Sequence, residues 1–366
     1  MYRVLHVMGC SDVGGISTVV LNYYSAINRE RIHFDIALKT ETAGRNAQAL
    51  HDLGAEIFFL PLKSKGIKAF EISLEKILKE NHYDAIHIHE GSTSFIASRV
   101  AKKMGIKKRV VHSHSAKKVS GVREYSRFLL SVFLNPIYAT DLVACGELAG
   151  IRTYGKQNTK RKNYWVLPNA INTKRFVFDQ TVRNEVREEL SITNQFVIGM
   201  VGRIAFEKNY PYALRIMEKF HKKIPNSSLF IIGEGEKKKE VEFLIKKHKM
   251  QQYVKMLGKH SDVERYYQAF DALLLTSYNE GFPVAAVEAM ASGLPVLLSK
   301  SITGELKFGT RVFYLPLDRE DKWVDTLVMV SGEISDETRA VHQQEVYDNG
   351  LDIEKAAKLL EKIYDC

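Results

Sequence analysis

Short apolar runs alternate with longer stretches whose apolar residues recur every three or four positions, from one end of the chain to the other. Runs of four to eight apolar residues bounded by turn formers read as strands buried on both faces, and the longer periodic stretches read as helices. In the first half the strand-like runs fall at residues 3–8, 33–38, 56–60, 85–89, 108–112, 142–144 and 165–167. Helix-like stretches such as 16–27, 67–80 and 95–104 lie between them. The cadence then repeats, with strand-like runs at 196–201, 228–232, 253–257, 272–276, 295–298 and 312–315. Alternating strands and helices imply parallel sheets covered by helices on both faces. Two such series in tandem predict an α/β chain of two Rossmann-like, doubly wound domains. The boundary is placed at PNAINTKRF, where Pro168 and Asn169 end a strand and a polar segment follows. This gives domains at 1–170 and 171–347. The remaining stretch, 348–366, carries an amphipathic run at 353–364 that is expected to cross back onto the first domain.

Composition narrows the class. Hydrophobic residues make up 45% of the 366 and charged residues 26%, the balance of a soluble globular protein. No apolar run approaches the roughly 18–20 residues of a membrane span. The chain opens on the strand-like YRVLHVM, so no secretory leader is expected. Cys10, Cys145 and Cys366 are far apart, odd in number and without a CxxC pair, which fits a reducing cytoplasm rather than a disulfide framework or zinc site. The net charge of +10 is uneven: residues 1–170 carry +11 and the rest −1. A basic half implies an anionic partner, whether nucleic acid, a membrane surface or a phosphorylated substrate. A merely solvated lysine-rich surface is the alternative.

In doubly wound sheets ligands bind at the carboxyl ends of strands, so with two facing sheets the expected site is the cleft between them. The segment NEGFPVAAVEAMASGLPV follows the strand-like ALLLTSY. Gly281, Phe282 and Pro283 form a loop leading into a helix that begins at Val284. Free amides and the helix dipole make such a junction an anion site. Glu280 on the loop and Glu288 inside the helix do not suit a phosphate; they suit hydroxyls beside it. That combination points to a nucleotide sugar. The segment VGRIAFEKNY, also after a strand, offers Arg203 and Lys208 to the same diphosphate. In GCSDVGGISTVV, Gly14 and Gly15 open a helix and allow close backbone approach, although a plain structural turn accounts for them equally well. VVHSHSAKK places His112 and His114 on one side of an extended chain, followed by Lys117 and Lys118, and HIHE adds His87, His89 and Glu90. Strand-end histidines bonded to backbone are the plainer reading. No carboxylate or thiol stands at ligand spacing from them, so no metal is expected.

These segments resemble the retaining GT-B glycosyltransferases of family 4, whose E-x7-E signature the pair Glu280 and Glu288 matches. The likeness extends through VGG, HSH, PNAIN, GRIAFEKN, IIGEGE and LGKHSDVERYYQAFDALLLTS, and HSHS with ACGELAG is most like the EpsF-type transferases of exopolysaccharide and capsule operons. The resemblance implies that Glu288 holds the donor ribose and Glu280 the hydroxyls of the transferred sugar. Amides around Phe282, Pro283 and Val284 would hold phosphate and sugar. Arg203 and Lys208 would neutralise the departing diphosphate. Gly14 and Gly15 would lie beneath it. Gly233, Gly235 and the loop from Gly258 to Val263 would flank the base. His114, or else His112, would contact the donor sugar, and the first domain would take the acceptor, with His89, Glu90, His112, Lys117 and Lys118 as candidates.

The implied reaction moves a hexose or N-acetylhexosamine from a nucleotide sugar, UDP before GDP, onto a polyprenyl-diphosphate-linked saccharide, with retention. It would take place at the anionic inner face of the cell membrane. No second carboxylate is positioned as a covalent nucleophile, and no DxD triplet is present, so metal independence is expected. The chain departs from the family in two places: PNAIN stands where PNGID is usual, and SKSITGELKFG lacks the usual Gly-Gly-x-x-Glu run, leaving Glu305 as its nearest counterpart. A sugar phosphorylase or sugar-phosphate synthase of the same fold, with Lys117, Lys118 and Arg123 as phosphate ligands, is the alternative enzyme. Intact Arg203, Lys208, Glu280 and Glu288 speak against a non-catalytic subunit, and the missing GxGxxG against an NAD enzyme.

Overall fold

A computed structural model of the chain describes residues 1–9, 15–114, 121–333 and 336–364. Gly14, Lys117 and Lys118, each a candidate ligand contact, lie outside the described residues. The chain divides into two compact units, Met1–Ile171 with Asp352–Cys366, and Asn172–Leu351.

The first unit is built on seven strands: β1 (Tyr2–Gly9), β2 (Ile32–Lys39), β3 (Ile57–Phe59), β4 (Ala85–Ile88), β5 (Lys108–Ser113), β6 (Asp141–Ala144) and β7 (Tyr164–Val166). The second has six: β8 (Phe196–Val201), β9 (Ser227–Ile232), β10 (Val254–Gly258), β11 (Ala272–Leu275), β12 (Val296–Ser299) and β13 (Val312–Leu315). The sheet orders are β3-β2-β1-β4-β5-β6-β7 and β10-β9-β8-β11-β12-β13. Every pairing between these strands is parallel. The expected two-series α/β architecture is therefore present. In each sheet the order reverses beside the first strand, between β1 and β4 and between β8 and β11, and that switch point opens a crevice at the strand ends.

The strands form where the apolar runs predicted them because covering helices leave little room for polar side chains on either face. All four residues of β4, β6, β11 and β12 are buried. The differences are small: residues 56–60 contribute only β3, the 165–167 run pairs one residue earlier as β7, and the runs at 253–257 and 295–298 form strands one residue later, as β10 and β12.

The helix Ile353–Tyr364 belongs to the first unit. Ile353, Ala356, Ala357, Leu360, Ile363 and Tyr364 are buried among Val4, Phe34, Ile36 and Val143. Burying Leu360 and Ile363 contributes roughly 1.5–3 kcal/mol each. The chain leaves this unit at Ile171 and re-enters at Asp352, where the two residues form a parallel bridge and the Ile353 amide donates to the Ile171 carbonyl at 2.9 Å. One departure from the family sequence finds its reason here. The Asn172 side chain accepts from the Lys174 amide at 3.1 Å, the capping bond an aspartate would make.

Candidate active site

In the second unit the loops after β8 and β11 are tied together at the switch point. Thr276, at the end of β11, donates to the carbonyls of Lys208 and Asn209, both at 3.1 Å, and the Tyr278 amide donates to the Glu207 carbonyl at 2.8 Å. Asn209 sits in the left-handed region at φ +52, a conformation asparagine tolerates better than most residues, and leads into the helix Tyr210–Lys223. So anchored, Lys208 donates from Nζ to Glu280 Oε1 at 2.6 Å, and Ser277 Oγ donates to the same oxygen at 2.7 Å. The pair is largely enclosed, with side-chain exposures of 21% and 13%. One carboxylate oxygen is thus committed twice over; among the described residues no hydrogen bond engages the other.

Just over one turn into the helix Val284–Ala291, Glu288 accepts from the Tyr267 hydroxyl at 2.8 Å. Burial pushes the Glu288 carboxyl up to about 7, against the opposing pull of that hydrogen bond and of Arg175. The same loop–helix junction offers fewer amides than the sequence suggested. Pro283 has no N–H, and the Val284 N–H turns back onto the Phe282 carbonyl at 3.0 Å.

Arg203 and Lys208 have different partners. Arg203 is 69% exposed and pairs with Glu236 at 3.0 Å. Gly233 and Gly235 serve first to bring backbones together. A Cβ on Gly233, where φ is +148, would stand 1.9 Å from the Gly202 carbonyl oxygen, and one on Gly235 would stand 2.3 Å from that of Ile204. The loops after β8, β9 and β10 are joined by bonds from the Ile204 amide to the Glu234 carbonyl and from the Gly233 amide to the Gly258 carbonyl. Val263 opens the short helix Val263–Ala269 that carries Tyr267.

In the first unit Gly15 opens the helix Gly15–Ala26 with nothing within 4 Å of a would-be Cβ. Glu90 is not a free carboxylate: it forms an ion pair with Lys39 at 2.5 Å, both side chains nearly buried. His89 and His112 are likewise enclosed, at 5% and 1% exposure, which removes them from any open acceptor surface. They belong to a cluster. His6 Nδ1 lies 3.0 Å from His89 Nε2, and His89 Nδ1 lies 2.8 Å from His114 Nε2. His87 Nε2 lies 3.2 Å from His112 Nδ1, and the Tyr364 hydroxyl lies 2.6 Å from His87 Nδ1 and 3.4 Å from His6 Nε2. His114 Nδ1 faces Asn169 Oδ1 at 3.4 Å. Two triads, His6–His87–His89 and His89–His112–His114, each hold nitrogens within 4.8 Å of one another and are the groups a divalent cation could address.

His6, Tyr364, Tyr267 and Ser277 were not singled out in the sequence. The signal for His6 is that LHV, HIH and HSH each put histidine on one face of a strand, but only the pairing of His6 with His87 shows that the faces coincide.

Two doubly wound units, with an enclosed lysine–glutamate pair at the switch point of one and a histidine cluster at that of the other, define a GT-B protein. Residues 13–175 match the family described as Glycosyltransferase Family 4 and residues 182–308 match Glycosyl transferases group 1. The chain belongs to the family 4 glycosyltransferases. It is 30% identical over 313 residues to the Bacillus subtilis (strain 168) protein EpsF, covering 84% of this chain and 81% of that one. It is 26% identical over 383 residues to the Escherichia coli UDP-Gal:alpha-D-GlcNAc-diphosphoundecaprenol alpha-1,3-galactosyltransferase, covering 99% and 96%. Among solved structures, Anabaena HepE in complex with UDP shares the fold with a TM-score of 0.82 over 99% of each chain, at 16% identity.

Proposed function

We propose that the protein is a retaining glycosyltransferase that moves a hexose or N-acetylhexosamine from a UDP-sugar to a lipid-diphosphate-linked saccharide, without a metal cofactor. The observation that carries this reading is the Lys208–Glu280 pair. An ammonium held at 2.6 Å from a carboxylate in an enclosed site supplies positive charge for a leaving diphosphate, and beside it an oxygen acceptor for sugar hydroxyls. Glu288, presented by the adjoining helix with Tyr267 behind it, suits the two hydroxyls of a ribose. His114 is assigned to the transferred sugar and Arg203 to the diphosphate; Arg203 would exchange Glu236 for phosphate oxygens. The donor and acceptor classes are supported by the UDP complex of HepE and by the substrates named for the E. coli relative.

A peripheral place on the membrane has its own support in the first unit. No helix among the described residues is long and apolar enough to cross a membrane. The helix Val122–Tyr138, however, turns Val122, Tyr125, Leu129, Phe133 and Ile137 to solvent along one stripe, Phe133 being 66% exposed. Arg123 and Arg127 on the same helix are exposed as well. Apolar side chains flanked by cations suit the boundary of an anionic leaflet.

The test is a donor and acceptor screen. UDP should raise the melting temperature more than GDP or ADP, and nucleotide release from a UDP-sugar should require a lipid-linked acceptor. NMR of the product should show the donor's anomeric configuration; inversion, or turnover that depends on inorganic phosphate, would overturn the reading. Sedimentation with vesicles containing anionic lipid should fall at high salt and with Phe133→Glu.

A further inference from the structure

We propose that Tyr364 and the histidines behind His114 form one relay of hydrogen bonds, through which the last helix fixes the tautomer and orientation of His114. The order along the relay is Asn169, His114, His89, His6, Tyr364, His87, His112, and each link is a contact of 2.6–3.4 Å. The inference rests on the reading that His114 addresses the transferred sugar. Its structural half, the shared tautomer, stands or falls independently.

A neutral imidazole has one donor and one acceptor, so a ring with neighbours at both nitrogens must donate to one and accept from the other. His114, His89, His6 and His87 each use Nδ1 toward one side and Nε2 toward the other, and His112 closes the series through Nδ1. The polarity of any link therefore dictates the next, and Tyr364, which accepts from one histidine and donates to the other, passes it on. Only two arrangements satisfy every link among the rings and Tyr364: all five imidazoles protonated on Nδ1, which also lets His114 donate to the Asn169 oxygen, or all five on Nε2, which needs the Asn169 amide turned to offer its N–H. A protonated ring would offer two donors and break the series. Burial opposes that charge, pushing His6 down to about 3 and His114 to about 4, and holding His87, His89 and His112 well below the ordinary range.

The ring geometry favours a relay over a metal centre. Three nitrogens bound to one tetrahedral ion converge at about 3.3 Å from each other. Here the rings of His87 and His89 are stacked at 12°, those of His6 and His89 at 15°, and those of His89 and His114 at 30°. Near-parallel rings standing side by side along adjacent strands suit edge-to-edge links between neighbours.

At the open end, the 3.4 Å contact with Asn169 is among the longest in the series, and it is the one a ligand hydroxyl can replace. If the relay runs one way, His114 offers that hydroxyl an N–H; if the other, a lone pair. Tyr364 joins His6, His89 and His114 to His87 and His112, so its hydroxyl is where the two halves agree.

The experiment is two-bond 1H–15N correlation NMR on protein with 15N-labelled histidine at pH 7, assigned by single His→Asn variants, and it needs no donor. The five buried imidazoles should show a single tautomer. Tyr364→Phe should keep the fold, shift the 15N signals of His6, His87 and His114 toward a mixture, and lower kcat about tenfold with the donor KM nearly unchanged. A wild-type spectrum with both tautomers among the five, or signals unmoved in Tyr364→Phe, would overturn the relay. So would uptake of one Zn2+ or Ni2+ per chain with loss of those signals. Should His114→Ala turn over normally while the spectrum shows one tautomer, the sugar assignment fails and the relay stands.

Discussion

The two sheets share an order and a switch point, yet their strand ends carry opposite chemistry. In the first unit the crevice beside β1 and β4 is lined by imidazoles that burial keeps neutral, and its nearby acid, Glu90, is neutralised by Lys39. In the second, the crevice beside β8 and β11 keeps an ammonium and a carboxylate in contact. The fold accounts for the crevice alone. Whether a strand end binds charge or relays a hydrogen bond depends on two or three residues after the last pleat. The contrast agrees with the proposed tasks, since fixed charge is suited to a departing diphosphate and uncharged polar groups to hydroxyls.

Four measurements would break or sharpen this contrast, beginning with the largest expected effect. Gly233→Ala drives a Cβ to 1.9 Å from the Gly202 oxygen at a φ that side chains avoid. It should cost the second unit roughly 3–5 kcal/mol, read as a lower denaturant midpoint. Glu280→Gln keeps the shape but removes the charge facing Lys208; kcat should fall by roughly 100-fold while stability changes little. A variant with normal kcat would remove the charged pair from the chemistry.

Glu288→Gln tests a titration. The folded state raises this carboxyl from 4.5 to about 7, so between those values the folded protein holds a proton that the unfolded chain has released. Stability contributed by this group therefore falls as pH rises through that window, and the loss is complete above it. The glutamine variant should match the wild type near pH 4 and melt roughly 2–4 °C higher near pH 8; equal melting at both would contradict the burial argument. The smallest effect is expected in the other unit. Gly15→Ala meets nothing within 4 Å and should shift stability by less than about 0.5 kcal/mol. If the ligand approaches that backbone, it should nevertheless raise the donor KM.

The fold was legible to within a few residues at most strands because parallel strands covered on both faces are predominantly apolar, and few other segments of this chain are. The runs at 196–201, 312–315 and 353–364 form elements with those bounds. Placing Lys208 near Glu280 was within reach, since both follow strands in one sheet. Their separation was not: it depends on Thr276 holding the lysine's own carbonyl across 68 residues of sequence. Two of the acceptor candidates in the first unit have partners that the sequence did not show, for a related reason. Glu90 finds Lys39, and His112 finds His87, through strand register, which apolar patterning does not specify when both faces are buried. Tyr267 and Tyr364 are core aromatics by burial, and only the structure shows where their hydroxyls bond.

The bridge between Ile171 and Asp352 has a consequence for how the chain is made. About 180 residues separate the halves of the first unit's core, so at 5–20 residues per second synthesis spends roughly 10–40 s between them. When that interval ends the first unit still lacks the helix that completes its core, while the second unit has all of its own sequence. The second unit should therefore become protease-resistant before the first on a stalled ribosome. A chain stopped at Ile171 should be held by chaperones rather than released as a folded fragment.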